Sequence, residues 1–330
     1  MSKSRESILV TGGAGYIGSH IVEQLIKYNK TVVIVDNLKT GYKKLINKKA
    51  IFIKADIKNK PIINRIIKNY NISSVIHLAA YLNVSESEKY KKKYFQNNII
   101  GTKNLLEACK NTSVNSIIFS SSCSVYGNVK GSVNEDKKLK PLAYYGYTKY
   151  KGEELIKKLS LKFKYKYGIL RYFNVGGASK TGKIGEIEKS HGHLIKNLAI
   201  QSLKKNPKVK IFGNDYKTKD GTCIRDYIHV SDLADIHIKG LSYLKSNQKS
   251  FVLNCGYGKG YSVQQIIDIF KKIKKNVQVN YQGRRKGDIA QVYANTRKLK
   301  NILKWKPKFN DIKVIVKSSI KWEKKLNYQY

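Results

Sequence analysis

The stretch ILVTGGAGYIGSH, residues 8–20, decides the fold of this chain. Its apolar start predicts a buried strand ending at Thr11, and Gly12, Gly15 and Gly18 then follow as G-x-x-G-x-x-G where a helix is expected to begin. Glycines at these places allow a tight turn, a close approach of the backbone to phosphate, and close packing of helix on strand. Phosphates favour such a helix N-terminus because its N–H groups and its dipole attract anions. The stretch therefore predicts a dinucleotide-binding turn.

Acidic residues end the next two predicted strands. TVVIVD (31–36) ends at Asp36, 18 residues after Gly18, where a carboxylate accepts hydrogen bonds from the adenosine ribose. A carboxylate also repels a 2′-phosphate, so NAD is favoured over NADP. Asp56, followed by Ile57, ends the third strand and has two readings: it reaches the adenine, or it is the N-cap of the next helix.

Short β-branched runs alternate with helix-length segments through the first half of the chain. The predicted strands are 7–11, 31–36, 51–56, 73–80, 116–122 and 167–172, and the predicted helices between them are 15–28, 59–69, 96–110 and 145–164. This alternation is typical of right-handed βαβ units, so we expect an α/β fold with a Rossmann-type doubly wound parallel sheet. We divide the chain into an NAD-binding domain (1–173) and a smaller mixed α/β substrate domain (174–330). A segment around 225–250 is expected to return to the first domain.

The net charge of +43 suggests nucleic-acid binding, but the composition favours another origin. Only seven of the 65 basic residues are arginine, the side chain that most often contacts bases and forms bidentate hydrogen bonds to phosphates. Lysine is abundant together with Asn, Ile and Tyr, which are all encoded by A/T-rich codons. We therefore expect no specific nucleic-acid partner.

The remaining composition points to a cytoplasmic protein without a membrane segment. No apolar run approaches 18 residues, and the chain goes from its first residues straight into an apolar strand. The four cysteines are scattered without C-x-x-C spacing, so we expect neither a metal site nor a disulfide framework.

Two Tyr-x-x-x-Lys pairs overlap in YYGYTKYK (144–151): Tyr145 with Lys149, and Tyr147 with Lys151. Residues two apart on a helix point about 200° apart, so the two pairs face opposite ways. The face of Tyr145 continues into apolar residues, whereas the face of Tyr147 continues into charged ones. Tyr145 and Lys149 are therefore predicted to be the buried pair.

A buried tyrosine with a lysine one turn away has the chemistry of a proton acceptor. The positive charge favours the phenolate of a group whose ordinary pKa, about 10, makes it a poor base at neutral pH. SSSCSVYG (120–127) follows the fifth predicted strand and would place a serine hydroxyl opposite that tyrosine.

With these residues the chain resembles the extended short-chain dehydrogenase/reductase family, and within it the UDP-glucose 4-epimerases. The resemblance covers roughly residues 7–325. It is carried by TGGAGYIGSH (11–20), DNL (36–38), NNIIGT (97–102), SSSCSVYG, YGYTK (145–149), RYFNVGGA (171–178), HLI (193–195), IFGNDY (211–216), DGTCIRDYIHVSDLA (220–234) and RRKGD (284–288).

The resemblance implies a role for individual residues. Tyr145 would transfer the proton, Lys149 would be its electrostatic partner, and Ser122 would bond the sugar. The residues implied to contact NAD are Gly12, Gly15, Tyr16, Ile17, Gly18, Asp36, Asn37, Asp56, Ile57, Asn98, Tyr145, Lys149 and Phe173. Those implied to contact a UDP-sugar are Ser122, Asn174, His193, Leu194, Ile211, Phe212, Arg225, Arg285, Asp288 and Val292.

The resemblance implies that the protein inverts carbon 4 of UDP-glucose and UDP-galactose. It also implies that the protein is a homodimer. Rival readings within the family are another NAD-dependent nucleotide-sugar epimerase, a dehydratase or a decarboxylase. A rival outside it is a non-catalytic Rossmann regulator or nucleic-acid binder. Val292 stands where a bulky aromatic residue restricts relatives to plain hexoses, so acetylated sugars are a further expectation.

Overall fold

A computed structural model describes residues 7–187, 192–285 and 287–327. The strands are β1 (Ser7–Thr11), β2 (Thr31–Asp36), β3 (Ile51–Lys54), β4 (Ile72–His77), β5 (Ser116–Ser122), β6 (Gly131–Val133), β7 (Lys166–Tyr172), β8 (Asn174–Gly176), β9 (Lys208–Phe212), β10 (Ile224–His229), β11 (Phe251–Cys255), β12 (Gly260–Ser262), β13 (Gln278–Gln282) and β14 (Gln291–Ala294). The α-helices are α1 (Tyr16–Lys27), α2 (Lys60–Asn69), α3 (Val84–Lys89), α4 (Lys91–Tyr94), α5 (Gly101–Ala108), α6 (Tyr144–Phe163), α7 (Leu194–Ser202), α8 (Val230–Asn247), α9 (Val263–Ile273), α10 (Arg297–Leu303) and α11 (Ile312–Asn327). Short 3₁₀ turns cover Lys43–Leu45 and Cys123–Tyr126, and a π-helical segment, Phe95–Ile100, joins α4 to α5.

Seven strands form the main sheet in the order β11-β7-β5-β4-β1-β2-β3. The pairs from β5 to β3 are all parallel. The order reverses direction between β1 and β4, and in such sheets ligands bind beyond the carboxyl ends of the strands at that reversal. The predicted α/β fold with a Rossmann-type parallel sheet is thus confirmed.

Both faces of this sheet are buried, which explains why its strands read as continuous apolar runs. On one face Leu9 and Val75 pack in a cluster with residues of α2, α5 and α6. On the other face, a Cβ on Gly13 would touch Ile34, and a Cβ on Gly240 of α8 would lie 3.4 Å from Ile118. Successive side chains along a strand point to opposite faces, so the central strands β1, β4 and β5 are buried at every position.

The predicted elements of the first half agree with the structure to within a few residues. The strands 7–11, 31–36 and 116–122 match β1, β2 and β5 at both ends. The helix predicted over 96–110 is longer, because α4, the π-helical segment and α5 follow one another from Lys91 to Ala108. Beyond residue 173, the short strands β8, β10, β12 and β14 were not predicted, because three to six residues carry little periodicity of their own.

The chain separates into two compact units. The first contains the described residues up to Gly127, with Leu139–Arg171 and Ala234–Leu253, and the second contains Asn128–Lys138, Tyr172–Leu233 and the described residues from Asn254 onward. In the second unit β12, β10, β14 and β6 are neighbours in one sheet, β8 pairs with β10, and β9 pairs with β13. Whether 1–173 and 174–330 are independent domains stays a prediction.

Candidate active site

The glycine turn after β1 brings backbone close to backbone. Gly12 has a φ of +73°, and a Cβ on it would lie 2.7 Å from the nitrogen of Ala79, just beyond β4. A Cβ on Gly18 would collide with the carbonyl oxygen of Gly12. Larger residues are therefore excluded where β1 meets α1. Helix α1 then starts at Tyr16, and its N-cap Gly15 offers no side chain to its first turn.

Asp36 lies buried at the end of β2 and closes this turn from the side. Its carboxylate accepts hydrogen bonds from the N–H of Ala14 (3.1 Å) and of Leu38 (2.8 Å). A Cβ on Gly41 would lie 2.7 Å from its Oδ1, so the following loop passes directly over the carboxylate. Burial raises the pKa of Asp36, while the two N–H bonds act in the opposite direction.

Asp56 is not the N-cap of α2, so that reading is wrong. The N-cap is Asn59, whose side chain accepts a hydrogen bond from Ile62 N–H, whereas Asp56 accepts from Lys58 N–H at 2.9 Å in the loop before it. Asn37 Nδ2 donates to the other Asp56 oxygen at 3.2 Å, which ties the ends of β2 and β3 together. Ile57 has its side chain in the core, so only its backbone is available to a ligand.

Asn98 lies in the π-helical segment and connects three pieces of chain. Its side chain donates to Tyr81 O (3.0 Å) and to Thr148 Oγ1 (3.1 Å), and accepts from Tyr81 N–H (2.9 Å). The Thr148 hydroxyl in turn donates to Tyr145 O at 2.8 Å. A π-bulge often marks a functional site. Here it turns an amide inward to hold the loop after β4 against α6.

These features fit NAD. Only hydrogen fits on Gly12 and Gly18, so β1, the residues after β4 and the start of α1 pack closely. The free N–H groups at the start of α1 suit a diphosphate. Asp36 stands at the end of the second strand, at the position that suits ribose hydroxyls. The first unit thus brings together the predicted phosphate turn and the predicted ribose acid.

Tyr145, Lys149 and Ser122 also meet in the first unit. The Ser122 side chain lies close enough to the Tyr145 phenol to affect its pKa, although its Oγ donates to Ser124 Oγ at 3.1 Å. Lys149 Nζ lies 6.0 Å from the centre of the Tyr145 ring. Lys149 Nζ donates to Ser120 O at 2.8 Å. Burial raises the pKa of Tyr145, and the nearby Ser122 side chain opposes that rise. Burial lowers the pKa of Lys149 to about 7.

The predicted orientation of α6 is confirmed. Tyr145 is 9% exposed and Lys149 is 3% exposed, whereas Tyr147 is 38% exposed. Lys151 forms its ion pair with Glu154 at 2.7 Å on the outer face. A Cβ on Gly152 would enter the Phe119 ring, so this glycine lets α6 lie against β5.

Sequence reasoning missed Glu153 and Arg171. They form a buried bidentate ion pair, with Nε–Oε1 at 2.9 Å and Nη2–Oε2 at 2.7 Å, and Ser121 Oγ donates to the same Oε1 at 2.6 Å. The sequence could have indicated Glu153, because it follows Lys149 by four residues and therefore lies on the same helix face as Tyr145.

In the second unit β10 and β14 place Arg225 beside Val292. The two residues are paired in the parallel ladder, so their side chains share a face of the sheet. Arg225 Nη2 lies 3.6 Å from Asp288 Oδ1, and Val292 is buried. Tyr293 points the other way, and its ring would lie 3.3 Å from a Cβ on Gly260.

Phe212 and Arg285 are already in contact. The guanidinium of Arg285 lies 3.8 Å from the centre of the Phe212 ring, a cation–π stack, so one face of that ring is covered by the protein itself. Ile211 is buried in β9 next to β13. Its side chain is therefore not placed to flank a base.

The other predicted ligands of the second unit lie at the ends of elements. Phe173 is buried, and its N–H donates to Cys255 O at 3.2 Å. Asn174 begins β8, and Leu194 begins α7. His193 is the N-cap of α7, and its Nδ1 lies 2.6 Å from Glu186 Oε1.

The described parts of the chain contain no cluster of three His, Cys, Asp or Glu side chains able to hold a metal ion. Within residues 7–187, 192–285 and 287–327, no helix has the length and apolar character to cross a membrane.

Comparison with known proteins covers nearly the whole chain. Residues 8–256 match the NAD dependent epimerase/dehydratase family. The chain is 40% identical to UDP-glucose 4-epimerase of Lactobacillus helveticus over 320 residues, which are 96% of this chain and 97% of that protein. It resembles the crystal structure of UDP-glucose-4-epimerase from Stenotrophomonas maltophila with bound NAD and formylated UDP-arabinopyranose, with a TM-score of 0.93, 35% identity, and coverage of 99% and 100% of the two chains. The UDP-Glc/GlcNAc 4-epimerase of Campylobacter jejuni matches with a TM-score of 0.84, 38% identity, and coverage of 97% and 99%.

Proposed function

The chain belongs to the NAD dependent epimerase/dehydratase family, and from that premise we propose that it acts as a UDP-glucose 4-epimerase with bound NAD. One observation carries the proposal: buried Tyr145 shares a helix face with Lys149, and Ser122 at the carboxyl end of β5 lies close enough to the phenol to oppose the rise that burial causes in the pKa of Tyr145. The reaction is the reversible interconversion of UDP-galactose and UDP-glucose, so the enzyme is an isomerase.

Tyr145 accepts the proton of the sugar 4-hydroxyl as carbon 4 is oxidised. Bound NAD would supply reversible hydride acceptance at carbon 4, so that the hydride can return to either face of the sugar. Between the two transfers the 4-keto sugar must turn over while its nucleotide stays in place. Tyr145 then returns the proton to the oxygen, so the cycle consumes nothing. Ser122 bonds the same oxygen and holds it beside the phenol.

Lys149 makes this proton transfer accessible at neutral pH. Burial alone would keep Tyr145 protonated, because a phenolate in a dry site is poorly solvated. In its protonated form Lys149, one turn away on α6, offsets that penalty, and its hydrogen bond to Ser120 O keeps it in position. Since burial lowers the pKa of Lys149 to about 7, this support weakens above neutral pH. Such preorganised charge is a large term in catalysis because no reorganisation is needed during the reaction.

The second unit would hold UDP. Arg225 and Arg285 suit the diphosphate, since a guanidinium forks two oxygens, and Asp288 suits a ribose hydroxyl. Asn174, His193 and Leu194 would add contacts to the diphosphate. When a uracil stacks on the face of Phe212 that Arg285 now covers, Arg285 leaves the ring and becomes available to phosphate. The 4-keto sugar can rotate in the site only if the nucleotide is bound tightly and the hexose is bound loosely.

Acetylated sugars are a second candidate substrate class. Val292 lies on the sheet face of Arg225 and lacks an aromatic ring, while Tyr293 faces away from it. Space beside carbon 2 of the sugar would then accommodate an acetamido group. The relative from Campylobacter jejuni, named a UDP-Glc/GlcNAc 4-epimerase, shows that the family includes enzymes described for both sugars.

The rival reading as a dehydratase is weaker. The resemblance implies that dehydratases carry an Asp-Glu pair beside the serine that ends β5. This chain has Cys123 and Ser124 at those positions. Elimination across carbons 5 and 6 then lacks an evident acid. A non-catalytic regulator would have no use for a buried Tyr145–Lys149 pair.

We place the enzyme in the cytoplasm as a homodimer. All four cysteines are thiols, which suits a reducing compartment. For the dimer, the helices over 90–110 and 145–164 are the proposed contact, through side chains such as the exposed Leu161.

The decisive experiment is incubation of the purified protein with UDP-galactose and detection of UDP-glucose. We expect conversion without added cofactor, and NAD rather than NADP on release by denaturation, because of Asp36. Absence of conversion in protein that contains NAD would contradict the proposed function.

A further inference from the structure

The last three residues of β5 each contact a different residue of α6. Lys149 Nζ donates to Ser120 O at 2.8 Å, and Ser121 Oγ donates to Glu153 Oε1 at 2.6 Å. The Ser122 side chain lies near the Tyr145 phenol and opposes the rise that burial causes in the pKa of Tyr145. Two of these contacts involve the groups that transfer and stabilise the proton. The third, from Ser121 to Glu153, touches no reacting atom.

The third contact has a geometric consequence. Tyr145, Lys149 and Glu153 follow one another at four-residue intervals, so they line one face of α6 over about two turns. Two contacts would still allow the strand end to pivot about the line that joins them. A third point beyond Lys149 removes that freedom, and the end of β5 keeps one orientation against the helix.

Glu153 is itself held rigidly. Arg171 on β7 grips both carboxylate oxygens, and Arg171 Nη1 also donates to Tyr126 Oη at 2.9 Å. Glu153 is 1% exposed and Arg171 is 2% exposed, so water does not compete for these bonds. The planar fork of arginine fixes the plane of the carboxylate and leaves one oxygen aimed at Ser121.

We infer that Ser121 and Glu153 are a positioning pair for proton transfer: together they hold Ser122 and the Ser120 carbonyl where Tyr145 and Lys149 need them. This inference rests on the proposed function for its kinetic meaning, although the anchoring itself is a property of the fold. A displacement of about 1 Å at a reacting group lowers turnover on the order of 10²-fold, so partial loss of the anchor is measurable.

The test removes the Ser121 hydroxyl and nothing else. Ser121→Ala leaves Glu153 gripped by Arg171, so no buried charge loses its partner. Ser116→Ala is the matched control, because Ser116 is equally buried at the opposite end of β5. The ionisable groups around Tyr145 are Lys149, Cys123 and Tyr94, and neither variant changes them.

For the NAD-containing enzyme with Ser121→Ala we expect kcat to fall about tenfold, with the KM for UDP-galactose, Tm and NAD content as in wild type. The acidic limb of kcat should move up by about one pH unit, because Tyr145 loses part of the support for its phenolate. Ser116→Ala should keep wild-type kcat and pH dependence.

Wild-type kcat in Ser121→Ala would overturn the inference. So would a fall in kcat that follows losses of Tm and NAD content while the acidic limb stays in place, since that marks a structural role only. A crystal structure of the Ser121→Ala variant tests the anchoring role of Ser121 without any measurement of activity. Lengthening of the Lys149 Nζ–Ser120 O distance beyond about 3.5 Å supports the anchor, and an unchanged distance contradicts it, even if wild type fails to epimerise.

Discussion

Tyr145 and Tyr147 stand two residues apart on α6 and have opposite surroundings. Tyr145 is buried against Ser122, whereas Tyr147 is exposed and lies beside Tyr144, with ring centres 5.5 Å apart. Tyr145→Phe removes one hydroxyl and should lower turnover by about 10²–10⁴-fold, while folding and NAD content stay close to wild type. Tyr147→Phe should be nearly silent. Parallel assays of UDP-galactose conversion check this, and equal losses in the two variants would refute the assignment of Tyr145.

Val292 is the residue on which the sugar range is expected to depend. Val292→Tyr places a ring on the sheet face of Arg225 and should abolish turnover of UDP-N-acetylglucosamine while sparing UDP-galactose. The measurement is epimerisation of both sugars by both proteins. No turnover of the acetylated sugar by the wild-type enzyme, under conditions that convert UDP-galactose, would refute the open pocket.

At the scale of elements, α6 depends on α3 for its start. Its N-cap, Ala143, has no side-chain group that could accept a hydrogen bond. Instead, Ser87 Oγ of α3 accepts a hydrogen bond from Tyr145 N–H at 3.0 Å. Glu88 accepts from Tyr144 N–H at 2.6 Å. Two side chains of a neighbouring helix thus do the work of a local cap.

Ser87→Ala should therefore weaken the end of α6 that carries Tyr145. We expect a loss of about 1 kcal/mol in the free energy of unfolding, typical of a lost cap, and a several-fold lower kcat. Ser85→Ala, on the exposed side of α3, is the control. Urea unfolding and steady-state kinetics of both variants give the comparison; equal stability of the two would mean that α6 does not need this cap.

At the scale of the whole molecule, stability should fall in acid because of buried histidines. Burial lowers the pKa of His20 to about 4 and that of His77 to about 3. Between those values and about 6.5 the unfolded chain binds protons that the folded chain does not, so stability is lost as the pH drops. Within the part of the chain that the structure describes, His20 Nε2 has no hydrogen-bond partner, so His20→Leu should reduce this loss. Free energies of unfolding at pH 7 and pH 4.5 test it, and an unchanged difference would contradict the assignment.

The charge of the whole molecule predicts a second behaviour. A net charge of +43 carried mainly by lysine should give weak nucleic-acid association without sequence preference. Because release of counterions drives such binding, it should disappear between about 50 and 200 mM salt. Filter binding with two unrelated DNA sequences measures it. Tight, sequence-dependent binding at the higher salt would restore the nucleic-acid hypothesis.

The sequence by itself determined the sheet, the glycine turn and the buried face of α6. These depend on local spacing: apolar runs for β1 and β2, glycines where only hydrogen fits, and an apolar stripe that continues from Tyr145 to Ile156. Each is readable because the physical requirement falls on residues close together in the chain.

Only the tertiary structure decided the contacts that join distant segments. Glu153 meets Arg171 and Ser121, Asp56 proves not to cap α2, and Arg285 covers the ring of Phe212. Local sequence patterns could not predict these contacts, because the partners come from different elements and packing sets the register between the elements. The residues of proton transfer were therefore predictable from sequence, whereas the buried ion pair that anchors the end of β5 was visible only after the chain had folded.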